Sequence, residues 1–238
     1  RDPPASTPMA AVASAAAPRG AAAREAPSWM PTATERKKLL PLGLMFFCIL
    51  FNYTILRNTK DVLVVTARGS GAEIIPFLKT YVQLPSALVF TALYSRMCNS
   101  MSQESIFYTL VTGFLGFFAT FAVGMYPFQH ALHPHAFCDW LLAAGVPKSL
   151  SGFVGIFRNW SFSLFYCMAE MWGSVVTSVM FWGLANRIMS VTEAKKYYPL
   201  FGLGANVALI CAGSYVKFVT KLQAAGKLVG VAGVDAYG

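Results

Sequence analysis

The run Leu39 to Leu56, LLPLGLMFFCILFNYTIL, carries no charge and gives way abruptly to Arg57-Asn58-Thr59-Lys60-Asp61. A helix of that length crosses the hydrocarbon core of a bilayer, and Arg36, Lys37 and Lys38 stand as a basic clamp just before it. The helix is expected to continue beyond its apolar part, over 39–66, because Tyr53, Arg57, Lys60, Asp61 and Val64 share one helical face. In that stripe Arg57 and Asp61 are four apart, the spacing of an ion pair on a helix.

Four further apolar stretches follow, near 74–97, 105–128, 150–189 and 197–221. The first of them is apolar from Ile74 to Tyr94 except for Lys79, Gln83 and Ser86, which again line one face. The next has no charge inside it and sets Gly116, Thr120 and Gly124 four apart, a stripe expected to pack against another helix. The stretch over 150–189 holds Arg158, Glu170 and Arg187 and is too long for one perpendicular crossing. With no Pro or Asn-Gly to break it, one long protruding helix is expected, and two short helices meeting near Met168 to Gly173 are the alternative. The last stretch opens with Pro199 and sets Gly204, Ala208 and Ala212 four apart. Five spans make an all-α polytopic membrane protein.

Composition agrees. Of 238 residues 56% are hydrophobic and 12% charged, with a mean hydropathy of +0.53; soluble domains carry about 25% charged residues, so a disordered chain is excluded and an ordinary soluble enzyme fits poorly. The five cysteines are odd in number and scattered, which offers no disulfide framework. No phosphate loop, dinucleotide fingerprint or nucleophile–base constellation occurs, so neither a cofactor nor a nucleic-acid partner is expected.

Residues 1–34 are rich in Ala, Pro, Ser and Thr, with Arg1, Arg19 and Arg24 against Asp2 and Glu25. That composition fits an organellar transit peptide better than a secretory signal, and a disordered tail without an address equally well. The membrane domain is placed at 35–238. Its richest basic clusters, Arg36 to Lys38 and Arg187 with Lys195 and Lys196, fall on one side of the membrane if there are five spans. Between the third and fourth spans, His130, His133, His135, Cys138 and Asp139 lie close together. Their spacing matches no metal-binding pattern, and a solvated loop up to Lys148 is preferred over a metal site.

The charges inside the spans bear on function. A Lys or an acid at the centre of a membrane helix costs about 2.5–3.5 kcal/mol on insertion scales, so such residues face protein or a water-filled path. Lys79 and Glu170 are the deepest, and Glu170 continues a polar stripe through Asn159, Ser163, Tyr166 and Thr177. From Leu39 onward basic residues exceed acidic ones by 6, and Arg57, Lys60, Lys79 and Arg158 lie in or beside spans. A positive cavity in a low-dielectric wall attracts anions, and Arg suits phosphate through its bidentate fork. The competing reading has Lys79 and Glu170 neutralise each other and lock two helices together.

The stretches Phe51 to Thr66 (FNYTILRNTKDVLVVT), Ala72 to Lys79 (AEIIPFLK), Phe157 to Ser161 (FRNWS), Ala169 to Ser174 (AEMWGS) and Tyr198 to Ala208 (YPLFGLGANVA) closely resemble the ATP/ADP translocases of plastids and obligate intracellular bacteria. The likeness runs from about Lys37 to Gly238, and the Ala-rich front points to the plastid branch. The signature of the mitochondrial carriers is not found.

The resemblance implies a longer protein of two six-helix halves of major-facilitator type, of which this chain supplies about five of the six helices of the first half. It implies an antiporter, not an enzyme, in the inner envelope membrane of the plastid, importing ATP in exchange for ADP with phosphate leaving alongside. Lys79 and Glu170 match positions where intramembrane charge is regarded as essential in that family. Arg57, Lys60, Asp61, Arg158 and Asn159 lie in matched motifs, and their individual roles follow from charge and helical face, the basic side chains being expected to neutralise the phosphates. Tyr53, Tyr81 or Tyr166 offer rings for adenine. The alternatives are a proton-coupled nucleotide importer of the same fold and a structural membrane protein with locked charge pairs.

Overall fold

The computed structural model describes residues 31–147 and 150–225. The transit-like segment expected over 1–34 lies outside the described residues up to residue 30, as do Lys148 and Lys227. Among the described residues eight helices follow one another: α1 (Ala33–Thr66), α2 (Ile74–Ser100), α3 (Gln103–Met125), α4 (Gln129–Leu132), α5 (His135–Ala143), α6 (Ser151–Arg158), α7 (Trp160–Ile188) and α8 (Val191–Ala224). Five of them, α1, α2, α3, α7 and α8, are long and apolar enough to cross a membrane.

α1 begins where its sequence can satisfy its first backbone amides. Thr32 caps it and Glu35 returns the bond, its carboxylate accepting from the Thr32 amide at 2.6 Å. α8 starts beside it at the same end of the bundle, because Lys38 pairs with Glu193 at 3.4 Å and Lys196 with Glu35 at 3.9 Å. The two basic clusters flanking α1 and α8 therefore share one side, called here the entry end. Ala208 and Ala212 of the α8 stripe are fully buried, which lets two long parallel helices approach closely.

α7 is the central post. In its most apolar window 56% of residues are buried, against 11–22% in the other four spans. Near the entry end Phe46 of α1 stacks on Phe181 of α7 at 4.3 Å and meets Phe201 of α8 edge-on at 5.9 Å. Nearer the far end Phe121 of α3 lies 4.4 Å from Phe165 of α7, and Leu78 of α2 and Ala169 of α7 are fully buried in the same cluster.

The long helix expected over 150–189 is interrupted at Asn159, whose backbone (φ −115°, ψ 47°) leaves the helical region. Its short amide side chain competes for backbone partners, donating to the Arg68 carbonyl at 3.2 Å. The alternative break near Met168 to Gly173 is not formed either. There α7 stays continuous and widens into a π-helical stretch over Trp172–Phe181. A second wide stretch in α2, Leu78–Gln83, contains Lys79; such turns occur often at functional sites.

The loop expected to be solvated folds into α4 and α5 and packs inward, with Cys138 fully buried and His133 only 6% exposed. α6 lies close on the start of α2 because it presents glycines there. A Cβ at Gly152 would come within 2.7 Å of the Phe77 ring, and one at Gly155 within 2.9 Å of Ile74. The Gly116 and Gly124 stripe on α3, by contrast, meets nothing: a Cβ at either has no neighbour within 4 Å, so among the described residues that surface packs against no other helix.

Candidate functional site

Lys60 of α1 carries a buried charge where α1 meets α7, 2% exposed. Its ammonium lies 2.7 Å from Asp61 Oδ1 and 3.1 Å from Glu170 Oε1, and sits 3.9 Å from the centre of the Tyr166 ring. One cation thus satisfies two carboxylates and a π face, the arrangement that makes a buried ammonium tolerable. α1 supplies Lys60 and Asp61; α7 supplies Tyr166 and Glu170, four apart on one face. Glu170 stands ten residues into α7, roughly 15 Å along its axis from Trp160 at 1.5 Å per residue.

The sequence pattern named these four residues but not their pairing. Asp61 pairs with Lys60 and not with Arg57, which is exposed and has no ion pair among the described residues. Glu170 is held by Lys60 and not by Lys79. Lys79 is exposed, and among the described residues no acid lies within ion-pair distance of it. The locked Lys79–Glu170 pair is therefore not formed. The physical reason is register: Leu78, fully buried, turns toward α7, so its neighbour Lys79 turns away.

Tyr166 is 1% exposed with Lys60 against its face, so adenine can stack there only if Lys60 leaves. Tyr53 is half-buried and fits over Gly173 of α7, where any Cβ would overlap its ring. Tyr81, 56% exposed, leans on Phe153 of α6 at 4.6 Å. Among the described residues several buried polar atoms have no hydrogen-bond partner, including Gln83 Oε1 on α2 and Tyr166 OH and Thr177 Oγ1 on α7. Buried groups of this kind mark places where water or a polar ligand completes the bonding.

Arg158 and Asn159 belong to a different cluster at the far end. Arg158, 4% exposed, donates to Asp139 Oδ1 of α5 at 2.7 Å, and Arg68 reaches the other oxygen at 3.4 Å. The Arg158 guanidinium lies over Gly69, whose φ of +68° makes the sharp turn between α1 and α2. Beside it His133 Nε2 meets Ser161 Oγ at 2.7 Å. Burial, with His135 and His130 nearby, pushes the His133 pKa down to about 4. Sequence spacing could not find this cluster, since its members come from a turn and three short elements. The available signals were Arg158 next to Asn159, a charge and a helix breaker inside an apolar stretch, and the grouping of His130, His133, His135, Cys138 and Asp139 before it.

Comparison with known proteins gives this geometry a lineage. The family model for the TLC ATP/ADP transporter matches residues 23–232. The chain is 59% identical over 190 residues to ADP,ATP carrier protein 2, chloroplastic, of Arabidopsis thaliana, covering 80% of this chain and 31% of that protein. It is 60% identical over 187 residues to the plastidic ATP/ADP-transporter of Solanum tuberosum (79% and 30%), and 50% identical over 204 residues to ADP,ATP carrier protein 1 of Chlamydia trachomatis (85% and 38%). The chain spans about a third of the length of these relatives. No solved structure matches. With five membrane-spanning helices and a family match running from residue 23 to 232, the chain belongs to the TLC ATP/ADP transporter family.

Proposed function

We propose that this chain forms the first part of an ATP/ADP antiporter of the plastid inner envelope, importing ATP in exchange for ADP with phosphate leaving alongside. The names of the chloroplast relatives support the substrates and the organelle. The Arg-containing, acid-poor front of the sequence supports a transit segment. The remainder of the transporter would supply the sixth helix and a second half, of major-facilitator type, against which this bundle rocks.

The observation that carries the proposal is Lys60 shared between Asp61 and Glu170 in an apolar wall. Exposed Lys79 and Arg57 attract the polyphosphate first. Its charge then competes with the carboxylates for Lys60, and a nucleotide that takes this cation leaves Glu170 to face the water-filled side, where it is already 24% exposed. When the nucleotide departs, Glu170 recovers Lys60. The empty site still carries Arg57 and Lys79 without an ion pair among the described residues, and closing an apolar wall over unpaired cations is costly, which disfavours returning empty and couples outward to inward passage.

The test uses the full-length transporter in liposomes, with labelled ATP outside and ADP or plain buffer inside. Uptake only against internal ADP supports exchange. Uptake into empty vesicles driven by a pH gradient assigns proton-coupled import instead, and no uptake overturns the proposal.

A further inference from the structure

At the entry end the helices splay around a cavity of about 520 Å³ that plays no part in the charged cluster. Its floor is apolar: Met45 of α1, Ile106 of α3 and Met180 of α7, the last two 3% and 7% exposed. Its rim is polar and carries one charge of each sign, Glu104 in the first turn of α3 and Arg187 in the last turn of α7. Both are exposed, and among the described residues neither makes an ion pair. Gly183 lines the same cavity, and a Cβ there would meet nothing within 4 Å.

A cavity of this size with an apolar floor and few polar groups has the ordinary anatomy of a ligand site. Its position narrows the ligand. Glu104 and Arg187 stand in the terminal turns of two spans, where a membrane-crossing helix is expected to meet the headgroup layer, and the floor residues lie further along the helices. The occupant is thus an amphiphile with its head at the rim. A carboxylate and a guanidinium together complement a headgroup bearing both an amine and a phosphate. A free nucleotide fits poorly, since Glu104 repels it and the floor offers its phosphates nothing.

We propose that this cavity is a binding site for an amine-headed phospholipid, its phosphate on Arg187, its ammonium on Glu104 and an acyl chain over Met45 and Met180. A lipid seated there bridges α3 to α7 at the end where Arg187 leads into α8.

The test is photolabelling of the full-length transporter in phosphatidylcholine liposomes doped with a photoactivatable phosphatidylethanolamine, read by peptide mapping. The expected result is labelling within 103–108 and 179–187, severalfold stronger than with the matching phosphatidylcholine probe. Gly183→Leu, whose Cβ enters open space and whose longer side chain intrudes on the cavity, should abolish it, and Gly183→Ala should keep it. Glu104→Gln should erase the preference between the two probes, and Arg187→Gln should weaken both. These two exposed substitutions remain informative if Gly183→Leu fails to fold. Unchanged labelling in Gly183→Leu, equal labelling by the two probes in the wild type, or labelling confined to other segments overturns the proposal.

Discussion

The Lys60 ammonium reaches across from α1 to the Glu170 carboxylate of α7 at 3.1 Å, with Tyr166 beneath it and Asp61 beside it. Removing one member leaves the other uncompensated, which costs about 3–5 kcal/mol for a fully buried pair. Because Glu170 and Asp61 are 24% and 46% exposed, water takes up part of that loss. Lys60→Met is therefore expected to lower stability by about 1–3 kcal/mol. The double variant Lys60→Met with Glu170→Met should recover most of it while remaining inactive in exchange. Thermal unfolding of the four proteins of the cycle in detergent checks this; additive losses would mean that the two side chains do not interact.

Lys79→Gln tests function apart from folding. It is exposed and has no ion pair among the described residues, so Lys79→Gln should change stability by no more than about 0.5 kcal/mol. Exchange of ATP for ADP should nevertheless collapse. A Gln variant that transports at the wild-type rate would remove Lys79 from the pathway.

Gly173 lies where the Tyr53 ring crosses α7, and a Cβ there would overlap it. Overpacking of this kind costs about 1–3 kcal/mol. Gly173→Ala is expected to lower the melting temperature, and adding Tyr53→Leu should restore part of the loss. A fully stable Gly173→Ala protein would mean that α1 and α7 approach less closely than described.

The far-end cap should be acid-sensitive. His133 is buried neutral on Ser161, its pKa pushed from 6.5 to about 4. The unfolded chain binds this proton first, so the contribution of His133 is present above pH 6.5. It is lost as pH falls through the interval down to about 4, and reaches roughly 3 kcal/mol. His133→Gln, which keeps a hydrogen-bonding side chain but cannot titrate, should flatten the dependence of melting temperature on pH between 6.5 and 4. An equal slope in both proteins would place the sensitivity elsewhere.

The spans were readable because hydropathy summed over a bilayer's width is a strong signal, and the Lys38–Glu193 and Lys196–Glu35 pairs put the two basic flanks at one end, as five spans require. The partner of Glu170 was not readable. Lys60 and Lys79 both sit in polar stripes, and only the rotation of α2, set by Leu78 turning inward, decides between them. The interruption at Asn159 escaped because Asn inside an apolar run breaks a helix only when a carbonyl such as that of Arg68 is in reach. The Gly116 and Gly124 spacing announced a surface able to pack, which says nothing of whether a partner comes from the same stretch of chain.

The adjacency of Lys60 and Asp61 matters before the bundle exists. Chains are made from the N-terminus, and α1 enters the bilayer while α7, which carries Glu170, has yet to be synthesised. Through that interval a lone ammonium in α1 would oppose insertion. Asp61, 2.7 Å away on the same helix, neutralises Lys60 from the moment both leave the ribosome. The pair acts as a built-in escort for biogenesis, so that Asp61→Asn is expected to show first as a defect in membrane integration and yield and only afterwards, in the protein that does assemble, as one in exchange.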